Sequence, residues 1–164
     1  MKNKLIIAVV VILGLAAAAY WQGWLPLQRG VQYRNTQYGL SVKLPESWKG
    51  FTIVTEQQDA WDVASGTVVA SFPRISIRHP AWTSTVPRQD IPIDIFTIEQ
   101  WEHVKGPSDV EWSVSAAPIP PSELARNSKY VFALPARYNY AFPEGFEEVE
   151  QILASSSVSA FEPR

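Results

Sequence analysis

From Leu5 to Trp21 the chain is apolar at almost every position, and no charge falls between Lys4 and Arg29. A run with no polar face does not suit a surface helix of a globular domain. At about 1.5 Å per residue it reaches roughly 25 Å as a helix. Extended to Leu25 it approaches the roughly 30 Å hydrocarbon core of a bilayer. The pattern predicts one transmembrane signal-anchor over residues 5–25. Lys2 and Lys4 predict that residues 1–4 stay in the cytoplasm, with Tyr20, Trp21 and Trp24 at the far interface. A cleaved signal peptide competes with this reading, because Ala17 and Ala19 form an A-x-A site. Either reading exports the remainder of the chain. That remainder divides into a connector over residues 26–32 and an extracytoplasmic domain over residues 33–164, attached to the inner (cell) membrane and facing the periplasm or exterior.

Beyond the connector the period changes. Leu40, Val42 and Leu44 alternate with Ser41 and Lys43, which predicts a half-buried strand. Gly39 suits the tight turn of a hairpin with a short strand over Tyr33–Asn35, and Pro45 ends the ladder. Phe51, Ile53 and Thr55 resume as a second strand. Residues 57–66 are polar around Trp61 and read as a short helix or loop. Thr67–Phe72 reads as a strand that Pro73 breaks or bulges before Ile75 and Ile77. Ile91, Ile93 and Ile95 make another strand, with Pro92 placing it at an edge or strand start. Thr97 and Gln100 form a capping-box pair ahead of a helix to Val104, with Ile98 and Trp101 on its apolar face. Glu111–Ala116 alternates as a strand. Ser122–Ala125 reads as one helical turn, Lys129–Leu134 as a core strand, and Tyr138–Phe142 as its neighbour. A last helix is predicted from Pro143 to Ala154, with Phe142, Phe146, Val149, Ile152 and Leu153 on one stripe. Ser155, Ser156, Ser157 and Ser159 read as a solvated tail.

The stretch Tyr33–Trp48 carries the pattern Tyr-x-Asn-x-x-Tyr-Gly-(apolar)-x-(apolar)-x-Leu-Pro-x-x-Trp. It resembles the opening of PsbP/Mog1-like domains over about 20 residues. That resemblance implies an α+β domain, a central antiparallel sheet flanked by helices. It implies no reaction, and no functional residue of those domains carries over to a position here.

Composition narrows the chemistry. The 164 residues include no Cys. Disulfides, Cys-ligated zinc, iron–sulfur clusters and thiol catalysis are thereby excluded. Without Lys2, Lys4 and Arg29 the 14 basic groups fall to 11 against 16 acidic ones, a domain charge near −5. A nucleic-acid role needs a basic face and is not expected. The length beyond the anchor suits one domain. Trp48, Trp101 and Trp112 follow apolar patterns and are expected in the core.

The search for chemistry is mostly negative. His79 and His103 lack close ligand spacing and read as surface histidines. Phosphate-loop and serine-elbow motifs are absent. Asp59 with Asp62, Asp90 with Asp94, and Glu99 with Glu102 are carboxylate pairs that read as wet faces, the first and last on helices. No catalytic residue, cofactor or metal is expected. Trp61, Trp82 and Tyr138 are the expected contacts for a partner or ligand. The first functional expectation is a non-catalytic accessory or assembly protein with an envelope-protein partner. The alternative is a glycan- or peptide-binding module, with a hydrolase using His79 and a carboxylate behind it. An exposed apolar patch would favour assembly, exposed tryptophans a ligand module, and His79 beside a carboxylate in a cleft the enzyme.

Overall fold

The computed structural model describes residues 30–105, 111–115 and 119–164. The anchor expected over Leu5–Leu25 lies outside these residues. Among them, no helix is long and apolar enough to cross a membrane.

β1 (Val31–Asn35) and β2 (Leu40–Leu44) form the expected hairpin, antiparallel from Val31 opposite Leu44 to Asn35 opposite Leu40. The first strand begins two residues inside the stretch read as connector. Gly39 turns the hairpin with φ +78°. A 3-10 turn, Glu46–Trp48, then drops Trp48 into the core. β3 (Thr52–Asp62) and β4 (Val68–Arg78) form a long second hairpin. β5 (Ile91–Thr97) leads into α1 (Ile98–Val104), where Thr97 and Gln100 make the predicted reciprocal cap. β6 (Trp112–Ser113), β7 (Ser122–Arg126), β8 (Tyr130–Leu134), α2 (Phe146–Ala154) and β9 (Val158–Ala160) complete the described elements.

These strands form two antiparallel sheets. One has the order β1-β2-β9 and the other β6-β3-β4-β5-β8-β7. β7 runs alongside β9 without a ladder between them, so the larger sheet curls into a half-barrel against the smaller one. Leu40, Val42, Leu44, Trp48, Ile75, Ile77, Ile91, Ile93, Ile95 and Phe132 fill the space between, closed by Val149 and Ile152 of α2. The other face of the larger sheet is covered at one end, where α1 lays Trp101 and Val104 over Phe72, Phe96 and Val131.

The protein is therefore mostly β, not the α+β domain with a helix-flanked central sheet that was expected. The two described helices have seven and nine residues, too little to flank a sheet on both sides. Of residues 57–66, read as helix or loop, 57–62 continue β3: their polarity is that of a strand whose side chains, Ala60 apart, stay exposed or half-buried. Ser122–Ala125 is strand rather than a helical turn. Tyr138–Phe142 is turn rather than strand, with Arg137 and Phe142 at positive φ breaking the extended chain. The serine tail is not all solvated, since Ser157 is buried and β9 pairs with β2. β5 is buried on both faces, and Pro92 stands at its start, two residues before the ladder with β8 begins at Asp94. Trp48 and Trp101 are core residues as expected. Trp112 is half-buried, stacked on His103 with ring centroids 4.2 Å apart.

Candidate functional site

The outer end of the β3–β4 hairpin outruns its neighbour, because β5 pairs with β4 only from Arg74 to Ile77. Its turn is held by hydrogen bonds. The Asp62 carboxylate accepts from the Ser65 amide at 2.6 Å and the Ser65 hydroxyl at 2.7 Å. The Asp62 amide donates to the Thr67 carbonyl at 2.9 Å. The two Ser65 bonds to the carboxylate, the hydroxyl first, hold the Asp62 carboxyl below its ordinary pKa. Such a turn displays its side chains in a fixed arrangement. Those side chains are apolar and uncovered: Trp61 is 46% exposed, Val63 52%, Val68 47% and Val69 42%. Trp61 stands opposite Val68 in the ladder, and Val63 and Val69 lie beside them in the chain at the same tip. A cluster of this kind is unusual on a surface without a partner.

Behind Trp61 lies a hollow of about 510 Å³, lined by Gln57, Gln58, Asp59, Ser113, Val114 and Ser115. It adjoins a groove of about 480 Å³ that shares Gln58, Val114 and Ser115 and ends at Tyr138. The groove floor is the uncovered part of the larger sheet. Arg74 grips Asp94 with Nε at 2.6 Å and Nη2 at 3.0 Å. Arg78 reaches Asp90 with Nη2 at 2.8 Å. Burial pushes the Asp94 carboxyl above its ordinary pKa, and Arg74 pulls against that shift. The hydrogen bond from Arg78 to Asp90 raises the guanidinium further. Both arginines are thus committed to carboxylates of the same floor.

The three expected contact residues have different fates. Trp61 is exposed at the hairpin tip. Trp82 is half-buried with the Arg78 guanidinium 4.0 Å from its ring centroid, so one face is already covered. Tyr138 lines the groove while packing on the main core, and burial, then Glu150, raises its hydroxyl pKa. Hollow and groove bring Trp61 and Tyr138 onto one continuous surface, and Trp82 meets it through Arg78. Val63, Val68 and Val69 were not among the expected contacts. Their signal was present: Val68-Val69-Ala70 offers no polar alternate position, so such a strand either buries both faces or exposes apolar ones.

His79 is not a surface residue. It is 9% exposed, meeting Trp48 edge-on with ring centroids 5.0 Å apart. Its Nδ1 accepts from the Ala81 amide at 3.0 Å. Burial, then the nearby Arg88 charge, lowers its pKa. Among the described residues no carboxylate bonds it. His103 is partly exposed and its Nδ1 lies 2.6 Å from Glu111. Asp59 and Asp62 sit on a strand, not a helix, and Asp59 accepts from the Ser71 hydroxyl at 2.7 Å. Asp94 is fully buried, not a wet-face carboxylate. Glu102 pairs with Lys105 on α1. No group of three or more potential ligands to a metal occurs among the described residues. A further hollow of about 560 Å³ lies between β2 and α2. There Glu148 is already bonded by Ser47 at 2.7 Å.

No known protein family, curated protein or solved structure matches the chain.

Proposed function

We propose that the protein is a non-catalytic accessory or assembly protein that works by docking the tip of its β3–β4 hairpin on another protein. The observation that carries this reading is the exposed patch of Trp61, Val63, Val68 and Val69 on a hydrogen-bonded turn. Large aromatic side chains ringed by aliphatic ones are the usual centre of a protein contact. A pre-set turn lowers the ordering cost of binding. The lysines and apolar run before residue 26 support an extracytoplasmic place for that contact. The glycan reading has less behind it. A sugar platform needs an open aromatic face, and Trp82 has Arg78 on one of its two. The hydrolase reading needs His79 beside a carboxylate in a cleft. His79 instead spends Nδ1 on backbone beneath Trp48.

Site-specific photocrosslinking tests this. A benzophenone side chain replaces Val63 or Val68 in the full chain, expressed in its native cells, with Lys49 as the control position. The expected result is one discrete protein adduct from positions 63 and 68, absent at 49 and lost with Trp61→Ser. Equal labelling at all three positions, or none at 63 and 68, overturns the reading.

A further inference from the structure

We propose that the cleft between β2 and α2 is a binding site for a small polyhydroxylated carboxylate. The cleft holds about 560 Å³, within the roughly 300–1,000 Å³ of small-molecule sites. Its lining shares no residue with the hollow or the groove beside the hairpin. On one side stand Glu148 and Gln151 of α2 and its cap Ser155, spaced as one helix face. Lys43 and Ser47 stand on the other. From α2 the chain turns toward β9 through Ser156, at φ +54°. Glycine is the usual residue at a left-handed position just past a helix. A serine there holds the backbone in a strained conformation, a condition that collects at ligand sites, and it adds a hydroxyl to the lining. Ser157 is a second, independent sign. It lines the cleft and is 6% exposed, and its hydroxyl has no hydrogen-bond partner. A buried hydroxyl left so is costly and calls for a reason. Its place is fixed, since its carbonyl accepts from the Lys43 amide at 3.0 Å.

Charge and hydrogen bonding select the occupant. Glu148 is already answered: its Oε1 accepts from the Ser47 hydroxyl at 2.7 Å, and its Oε2 lies 3.8 Å from Nη2 of Arg88. Lys43 is exposed and enters no salt bridge among the described residues. The cleft therefore carries one unmatched charge, and it is positive. A carboxylate meets it. The remaining polar groups are neutral. Gln151 and Ser156 are exposed, and the Ser155 hydroxyl, which donates to the Ile152 carbonyl at 2.7 Å, keeps its acceptor side. The C-terminal end of α2 carries partial negative charge, which takes hydroxyl protons better than a second acid group. One acid group and several hydroxyls on a short carbon chain satisfy both requirements. The Ser47–Glu148 bond ties the two sides together, which suits a short molecule over a long chain threaded between them. This site is separate from the hairpin tip, so its test and the crosslinking test fail separately.

The probes are gluconate, sorbitol and hexanoate, which share a six-carbon chain. Gluconate has the acid group and the hydroxyls, sorbitol only hydroxyls, and hexanoate only the acid group. Each is titrated into the full-length, nitrogen-15-labelled protein while amide chemical shifts are followed. Gluconate is expected to shift the amides of Lys43, Gln151 and Ser155–Val158. It should bind about fivefold tighter than sorbitol, the upper end for an ion pair that keeps one side in water, and tighter than hexanoate as well. Lys43→Met, at an exposed position, should erase the preference for gluconate over sorbitol. Ser157→Ala should weaken gluconate about threefold without lowering the melting temperature, because the hydroxyl it removes has no partner within the fold. Ser156→Gly should raise the melting temperature by relieving the left-handed serine, and also weaken gluconate. Equal binding of gluconate and either other probe, no binding at about 10 mM, shifts confined to other parts of the chain, or an unchanged preference in Lys43→Met overturns the proposal. Gluconate affinity unchanged in both serine variants overturns it too.

Discussion

Arg74 on β4 and Asp94 on β5 stand directly opposite each other, and their side chains meet in a two-bond grip while the Asp94 side chain is fully buried. The arginine keeps 21% of its side chain exposed toward the groove. The pair is thus half in the sheet and half in water. Its carboxylate end depends on the arginine to remain charged. Burial alone drives Asp94 toward its neutral form, which is why its pKa is raised despite the bonds.

Removing one partner should cost much more than removing both. Asp94→Ala leaves a guanidinium facing an emptied, partly buried site, and should lower stability by about 3 kcal/mol, near the bottom of the range for a broken buried pair because Arg74 is partly wet. Replacing Arg74 with Met and Asp94 with Leu together should recover most of that loss, because no buried charge is left unmatched. Urea denaturation of the parent, Arg74→Met, Asp94→Leu and the variant carrying both gives the coupling directly. A double substitution as costly as the two singles added would show that the two side chains act independently.

Gly39 should not tolerate alanine. Its φ is +78°, and an added Cβ would lie 2.0 Å from the Phe161 carbonyl oxygen. That oxygen is backbone, and the Phe161 amide donates to the Gly39 carbonyl at 2.8 Å, so the contact cannot be relieved by rotating a side chain. Gly39→Ala should cost about 2 kcal/mol or more, from strain and loss of this clasp together. A melting temperature unchanged from the parent chain would show that the chain end gives way freely.

Local signals were legible in the sequence where one element satisfied itself. The β1–β2 hairpin was marked by alternation and Gly39, and α1 by its reciprocal cap. The stripe of α2 was also visible, although the helix starts at Phe146 because Gly145, at φ +81°, still turns the chain. Signals failed where tertiary neighbours decide. Residues 57–62 have no apolar period because, Ala60 apart, their side chains stay exposed or half-buried on β3, so polarity imitated a loop. Ser122–Arg126 forms a strand because β8 offers it a partner. The extended look of Tyr138–Phe142 was overruled by two left-handed residues, Arg137 and Phe142.

Site residues divide along the same line. Trp61 was findable because it is an aromatic in a polar stretch, and such a residue either caps the core or stands free. Val68 and Val69 carried a weaker signal, an apolar pair with no polar alternate position, and Val63, alone in a polar turn, carried none. Asp94 and Arg74 are twenty residues apart in the chain, and only the β4–β5 register sets them together. His79 looked like any histidine before a proline. Trp48, which buries it, is thirty-one residues earlier.

The hairpin tip should be nearly silent in stability. Trp61→Ser and Val68→Ser remove side chains about half exposed, so each should change unfolding free energy by only about 0.5 kcal/mol. If the tip is a docking surface, the same substitutions should raise the solubility of the isolated protein, because an exposed apolar patch is reduced. Thermal melting and the salt concentration at which the protein precipitates separate the two effects. A loss of several degrees in melting temperature would instead make the tip part of the folded core.

The pH dependence should report His79. Its folded pKa lies below the ordinary value of 6.5, first through burial and then through Arg88. The unfolded chain therefore binds a proton on this residue that the folded chain refuses. Stability from the neutral ring is fully present above about pH 6.5 and is lost as pH falls from there toward the lower folded pKa. The slope of unfolding free energy in that window has a ceiling of about 1.4 kcal/mol per pH unit for one proton. Carboxylates held low, such as Asp62 and Glu123, lose their contribution only in stronger acid. His79→Gln keeps a polar side chain under Trp48 but cannot titrate. It should be less stable at neutral pH yet show a flatter profile as pH falls below about 6.5. The raised carboxyl of Asp94 titrates in both proteins and cancels in the comparison. Urea denaturation at half-unit steps reads the difference, and parallel profiles for the two proteins would mean that His79 binds its proton equally well folded and unfolded.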